Sequence, residues 1–360
     1  RSLVSDIRLL FALAELPDMF EKNCVSINTM QSFFFHLANN LLYDGRMLGD
    51  EFLEKYDSIL REMNVFLSDD DAIGLAKESM AADQTLDWDY VLIDEAQDWK
   101  ASERDVVLKL FEKGKTIIAD GGNQFVRRGQ MCDWATVRDR NNIKLKYCLR
   151  QKENIVSFLN EYTQHVDMPS EKIISNGKMP GGKIIIISDN MLFDVHKREM
   201  DSLIRCGNIA YDMLYFVPHS LVKRSNGESQ FALIREFERH NVFFWDGTNS
   251  SNRGNYSTAS DEVRVLQYDS ARGLEGWTVV CMDFDVFLEE KLAEYIEGEV
   301  DSLLLESPEE KKRKYIYNWA MIPFTRAIDT LVITIKDKES STGKLLKEIA
   351  NECRDYVSWM

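Results

Sequence analysis

The chain has 360 residues, a formal net charge of −16 and 44% hydrophobic residues. This length is enough for two α/β domains that each bury a core, and the composition excludes a disordered chain. No apolar run approaches the ~20 residues that cross a bilayer, so we expect no membrane partner. The six cysteines stand singly and zinc-ligand spacing is absent, which predicts buried free thiols and a cytoplasmic location.

Short apolar runs alternate with segments whose apolar residues recur every three or four positions. That alternation is typical of parallel sheets with crossover helices. The predicted elements, in chain order, are helices at 6–16 and 32–43, strands at 90–93 and 116–119 around a helix at 103–112, a helix at 154–163, strands at 183–188 and 214–218, a helix at 230–239, and strands at 241–245, 263–268, 279–284 and 331–335. We also expect a flexible loop at 247–260 and a capped helix start at 307–314.

Two carboxylates, Asp94 and Glu95, directly follow the apolar strand at 90–93. Ligands bind α/β proteins at this end of a strand. Nucleotide hydrolysis needs one carboxylate to hold Mg²⁺ and another to orient the attacking water. An acidic helix cap is the alternative, but the full string Asp94-Glu-Ala-Gln-Asp98 favours the chemical interpretation.

That string resembles motif II of the UvrD/Rep-like superfamily 1 DNA helicases. Further segments are similar to this family's motifs, in the family's order: residues 27–33 to motif Ib, 118–129 to motif III, 149–155 to motif IV, 265–275 to motif V and 324–327 to motif VI. The resemblance implies two tandem RecA-like parallel-sheet domains, at 1–146 and 147–360, the first one incomplete at its N-terminus.

The resemblance also implies ATP and Mg²⁺ as cofactors and a role for each matching residue. Asp94 would bind the metal and Glu95 would act as the general base. The γ-phosphate would meet Gln124, Arg150 and Arg326, and the nucleotide would also lie against Glu275, Gly273 and Arg272. Guanidinium groups suit phosphate because they stay charged and bond it in bidentate fashion.

The partner implied is single-stranded or partly duplex DNA, with RNA not excluded and a protein partner also possible. The candidate contacts are Thr29, Ser32, Phe125 and Ser270. Phe125 would stack on a base, with core packing as its alternative; for Thr29 or Ser32 the alternative is a helix cap. Arg127 and Arg128 fit either a basic contact or a solvated loop. The net charge opposes a broad phosphate-binding surface but permits a local basic cleft.

Two features depart from the family pattern. The P-loop, G-x-x-x-x-G-K-[ST], is absent from the 360 residues, although the family needs it to hold the phosphates. We expect it upstream of Arg1. In motif V, Gln267 replaces Thr and Asp269 replaces His, and a carboxylate at that position would repel DNA phosphate.

The sequence therefore predicts the motor core portion of an ATP-dependent DNA helicase or translocase, inactive as this piece alone. One alternative is a degenerate, non-catalytic helicase-like module that binds nucleic acid or protein. A metal-dependent nuclease using Asp94 and Glu95 is the weaker alternative, because no further carboxylates and lysine follow at a suitable spacing.

Overall fold

A computed structural model of the chain describes most of the 360 residues. The described residues are 7, 11, 14–16, 24–83, 86–120, 132–134, 143, 147–168, 172–225, 228–249, 251–252, 259–295 and 307–360. They fall into two compact units, Ile7–Lys144 and Leu145–Met360, called here the N-terminal and C-terminal units. Most of the predicted helix at 6–16 and half of the loop at 247–260 lie outside the described residues.

The N-terminal unit combines helices with two short strands. Its helices are α1 (Met30–Ala38), α2 (Gly49–Glu54), α3 (Tyr56–Phe66), α4 (Asp70–Ala82) and α5 (Ala101–Leu110), and its strands are β1 (Val91–Ile93) and β2 (Thr116–Ile118). The α1 helix continues through one wider π-helical turn, Asn39–Tyr43, and stops at Asp44 in the left-handed region. Phe34 and Leu37 on α1 are fully buried in the core of this unit.

The strands β1 and β2 are parallel, with Leu92 opposite Ile117 in the register. Ile93 and Thr116 point into the core and are buried, whereas Leu92 is 73% exposed and Ile117 is 54% exposed. Strands of a parallel sheet are normally covered on both faces. Among the described residues, this sheet is therefore covered on one face and open on the other.

The C-terminal unit is built around a larger sheet. Its strands are β3 (Lys183–Ser188), β4 (Met213–Val217), β5 (Val222–Ser225), β6 (Glu228–Phe231), β7 (Phe244–Asp246), β8 (Val263–Gln267), β9 (Gly276–Cys281), β10 (Ala327–Ile335) and β11 (Val357–Trp359). Its helices are α6 (Glu153–His165), α7 (Leu192–Arg205), α8 (Ile234–Arg239), α9 (Phe284–Glu294), α10 (Pro308–Phe324) and α11 (Ser341–Glu352).

Seven of these strands form one parallel sheet in the order β11-β3-β10-β9-β4-β8-β7, while β5 and β6 form a separate antiparallel hairpin. Alternate residues of the strands point to opposite faces. On one face Ile185 and Ile187 pack with α7 and α8, and the other face is covered by α6, α9, α10 and α11. The apolar strands thus have both faces buried, and the unit is an α/β domain with a seven-stranded parallel sheet.

The prediction of an α/β fold with parallel strands is confirmed, and β3 begins and ends where it was predicted. The predicted strand at 279–284 was wrong in position, because β9 begins at Gly276 and residue 284 already starts α9. The first residues of the predicted helix at 230–239 belong to β6 instead. The capped helix start at 307–314 is confirmed: Ser307 Oγ accepts from the Glu310 amide, and the Glu310 side chain accepts from the Ser307 amide.

The described residues also show the state of the cysteines and the character of the helices. None of the six cysteines, all of which are described, forms a disulfide, as predicted, but Cys24 and Cys206 are exposed and Cys148 is half-buried, so the prediction of burial was wrong for them. No helix in the described part of the chain is both long and apolar enough to cross a membrane.

Candidate functional site

Asp94 and Glu95 lie at the carboxyl end of β1, as the sequence predicts. The strand ends at Ile93, whose carbonyl accepts from the Ala119 amide at 2.8 Å. Asp94 is exposed, and its Oδ1 accepts from the Glu95 amide at 3.0 Å. The 3₁₀ turn that follows, Ala96–Asp98, has Glu95 at its N-cap and no side-chain cap, so the acidic-cap alternative is not found. Asp94 presents its carboxylate to solvent and could bind Mg²⁺ through water.

Glu95 has a backbone φ of 50°, a left-handed conformation that is uncommon for residues other than glycine. Its carboxylate accepts a hydrogen bond from the side-chain amide of Gln97, which is buried. Gln97 therefore fixes the orientation of the Glu95 side chain. Gln97 was not predicted to be a site residue, although its position inside the Asp-Glu-Ala-Gln-Asp string could have indicated such a role.

The other predicted nucleotide and DNA contacts of the N-terminal unit either have a structural role or lie outside the described residues. Thr29 caps α1, since its Oγ1 accepts from the Ser32 amide at 3.2 Å, so the capping alternative is the one found for this residue. Ser32 is half-buried. Gln124 and Phe125, together with Arg127 and Arg128, lie outside the described residues.

Three predicted residues of the C-terminal unit converge at the amino edge of the large sheet, where its strands begin. Arg150 Nη1 lies 3.6 Å from Glu275 Oε2. Glu275 directly precedes β9, and the amide of the next residue, Gly276, donates to the carbonyl of Arg326 at 3.1 Å. Residues from motifs IV, V and VI thus meet at one edge of one sheet.

The segment that carries Arg150 is held against the start of β10. The side-chain amide of Gln151, which is buried, donates to the carbonyls of Phe324 and Ala327. The Lys152 amide donates to the Ile328 carbonyl at 2.9 Å. These bonds fix the position of Arg150, and no residue pattern singled out Gln151.

Arg326 is buried, with 3% of its surface exposed. Its Nε donates to the carbonyl of Ile322 at 3.0 Å and its Nη2 donates to Oγ1 of Thr325 at 2.9 Å. The guanidinium group therefore binds the end of the α10 helix that precedes it.

The loop between β8 and β9 contains the remaining predicted nucleotide contacts. Gly273 has a φ of +73°, which glycine adopts without strain. Ser270 and Arg272 are half-buried, and Glu275 is exposed. The loop therefore crosses from the carboxyl end of β8 to the amino end of β9 and delivers Glu275 to the amino edge.

Arg264 on β8 anchors this loop and was missed by the sequence analysis. It is 4% exposed, and it donates to the carbonyl of Tyr211 at 2.8 Å and to that of Glu275 at 2.7 Å. Its guanidinium also lies 4.2 Å from the centre of the Tyr211 ring. The signal was present in the sequence, because Arg264 is a charged residue inside an otherwise apolar strand.

The two motif V departures, Gln267 and Asp269, lie at the opposite, carboxyl edge of the sheet. Asp269 pairs with Lys291 Nζ at 2.6 Å and with His219 Nε2 at 2.9 Å. Burial alone would raise the pKa of Asp269, but the hydrogen bonds from His219 and Lys291 outweigh it and lower the pKa. The hydrogen bond between His219 and Asp269 also raises the pKa of His219.

This charge cluster borders an open cavity of about 420 Å³, whose lining residues are His219, Val222, Arg224, Gln267, Glu290 and Glu294. Both carboxylate oxygens of Glu290 already accept hydrogen bonds from the backbone, one from the His219 amide and one from the Ser220 amide, each at 2.9 Å. The expected repulsion by Asp269 is offset in part by the ammonium group of Lys291, which pairs with it. The cavity lining contains both basic and acidic side chains, and it therefore does not form a basic groove.

Comparison of the chain with protein-family models and with curated proteins found no match. The class defined by the structure is thus an α/β protein whose C-terminal unit has a seven-stranded parallel sheet.

Proposed function

We propose that this chain is the motor core portion of an ATP-dependent DNA helicase or translocase, with two RecA-like domains that use ATP and Mg²⁺. The observation that carries the proposal is the 3.6 Å approach of Arg150 to Glu275, beside the backbone of Arg326. These residues were selected from three separate motifs. Glu275 and Arg326 directly precede neighbouring parallel strands, which places them at one sheet edge. The side chain of Arg150, from a separate segment of the chain, reaches the same edge.

The proposal gives each group a chemical task. Asp94 binds Mg²⁺ and Glu95 takes a proton from the attacking water. Arg150 leaves Glu275 when ATP is present and neutralises charge on the γ-phosphate, while Glu275 accepts a hydrogen bond from the ribose. Movement along single-stranded DNA then follows from closing and opening of the nucleotide site.

The pattern G-x-x-x-x-G-K-[ST] is absent from the 360 residues, and the proposed ATPase needs such a loop to hold the phosphates. We therefore predict that the 360-residue chain alone does not hydrolyse ATP. A Mg²⁺-dependent hydrolysis rate well above background from the purified chain would contradict that statement.

One observation favours a second function, a non-catalytic module that binds nucleic acid or protein. Arg326 is buried and bonded to the end of its own helix, which a residue without a catalytic task can retain. Binding of single-stranded DNA that is unaffected by ATP, in a protein that hydrolyses no ATP, would support this function.

The two functions are separated by ATP hydrolysis measured with and without single-stranded DNA. The protein is the full-length gene product that contains this chain. Arg150→Ala is compared with Arg205→Ala, which removes an exposed arginine at the end of α7. The motor proposal predicts DNA-stimulated hydrolysis that only Arg150→Ala abolishes; equal rates in both variants would contradict it.

A further inference from the structure

Two helices of the C-terminal unit bring three metal-binding side chains together. Glu161 and His165 are one turn apart on α6, and Glu352 is the last residue of α11. One donor atom from each side chain lies within 4.8 Å of the others. The sequence shows no zinc-ligand spacing here because Glu352 follows His165 by 187 residues (352 − 165).

The hydrogen bond of His165 determines which ring nitrogen is free to bind a metal. Its Nδ1 lies 2.9 Å from the backbone carbonyl of Glu161. A carbonyl oxygen only accepts, so Nδ1 carries the proton and the neutral ring has its lone pair on Nε2. Metal-binding histidines typically donate their second ring N–H to a carbonyl or carboxylate in this way.

The distance from His165 Nε2 to Glu352 Oε2 is 3.4 Å. A charge-assisted hydrogen bond between imidazolium and carboxylate is shorter, at about 2.7–2.9 Å. Ligand atoms that each lie about 2.1 Å from a tetrahedral zinc ion are about 3.4 Å from one another. The observed spacing therefore suits two ligands of one metal ion better than a direct ion pair.

The backbone around the cluster also favours a cation. His165 ends α6 and Glu352 ends α11, and the C-terminus of a helix carries partial negative charge. The two carboxylates add to this charge. His165 is mostly buried, with 17% of its side chain exposed, whereas Glu352 is 62% exposed, so an ion can enter from solvent.

We propose that Glu161, His165 and Glu352 form a site for a divalent transition metal ion, and specifically for Zn²⁺. Imidazole together with carboxylates suits zinc, and three protein ligands leave a fourth position for water. The ion fastens the end of α6 to the end of α11. This site is independent of the proposed ATPase, because it uses none of the residues assigned to nucleotide.

Zinc binding to the metal-free 360-residue chain tests the proposal, with ZnCl₂ alone as the ligand and isothermal titration calorimetry as the measurement. His165→Asn is the informative variant, because its side-chain amide can still donate to the Glu161 carbonyl but supplies no Nε2. Glu352→Gln removes a second ligand. His36→Ala, at an exposed histidine of the N-terminal unit, is the matched control.

The expected result is one zinc ion per chain, with the dissociation constant raised at least about tenfold by His165→Asn and by Glu352→Gln and unchanged by His36→Ala. Zinc should also raise the melting temperature of the wild type more than that of the two ligand variants. Absence of zinc binding, or equal binding by the wild type and His165→Asn, would overturn the proposal.

Discussion

Arg150 and Glu275 form an ion pair, with Nη1 and Oε2 3.6 Å apart, at the amino edge of the seven-stranded sheet. Both side chains are partly exposed, at 37% and 55%. Exposed pairs of this kind contribute little to stability, about 0–1 kcal/mol. The pair therefore contributes little to the free energy of folding.

Replacing Arg150 should lower the rate of ATP hydrolysis and leave the free energy of unfolding almost unchanged. Arg150→Ala is expected to change the free energy of unfolding by less than about 1 kcal/mol. It should lower the rate constant of ATP hydrolysis, in the full-length gene product, by about 10³-fold if the side chain meets the γ-phosphate. Arg150→Lys should not restore the rate, because an ammonium group lacks the planar fork of guanidinium. Urea unfolding and steady-state kinetics measure the two effects.

Arg264 is expected to matter for folding. Arg264→Met removes a buried donor from the carbonyls of Tyr211 and Glu275, which should lower the free energy of unfolding by about 2–4 kcal/mol. Arg205→Met, at an exposed position, should change it by no more than about 0.5 kcal/mol. Urea denaturation of both variants is the measurement, and equal midpoints would show that Arg264 does not anchor the loop.

His219 should titrate above its ordinary pKa of about 6.5, because Asp269 accepts its hydrogen bond. Since the folded-state pKa is raised, the stabilisation is fully present below about pH 6.5 and is lost as the pH rises through the folded-state value. In Asp269→Asn the pKa of His219 should fall. NMR titration of the His219 ring resonances measures both values, and an identical pKa in the two proteins would refute the pairing.

The parallel sheet of the C-terminal unit could be predicted from the sequence because its strands are apolar on both faces. Runs such as Ile184–Ile187 have no other favourable location than a sheet covered on both sides. The hairpin β5–β6 was missed because residues 222–231 are largely polar and lack a strong strand pattern. The edge strand β11 was missed because its residues, Val357–Trp359, do not form a continuous apolar run.

The candidate site was predictable only in part, for a physical reason. Asp94 follows β1 and Glu275 precedes β9, so topology places them at sheet edges. Arg150 precedes α6 instead, and the bonds of Gln151 and Lys152 hold it at the edge. The buried state of Arg326 depends on how α10 ends, which residue spacing does not reveal. Gln151 and Arg264 act through backbone carbonyls, and such contacts are set by packing between segments far apart in the chain.

The central claim, ATP hydrolysis by Asp94 and Glu95, is tested most directly by single-turnover hydrolysis of ATP with single-stranded DNA. The full-length gene product that contains this chain is compared with its Glu95→Gln variant, and Glu112→Gln, at an exposed glutamate of the same unit, is the control. We predict that Glu95→Gln binds ATP but loses hydrolysis by at least about 10²-fold, whereas Glu112→Gln hydrolyses ATP as the wild type does. Equal hydrolysis by the wild type and Glu95→Gln, or no hydrolysis by the wild type, would contradict the claim.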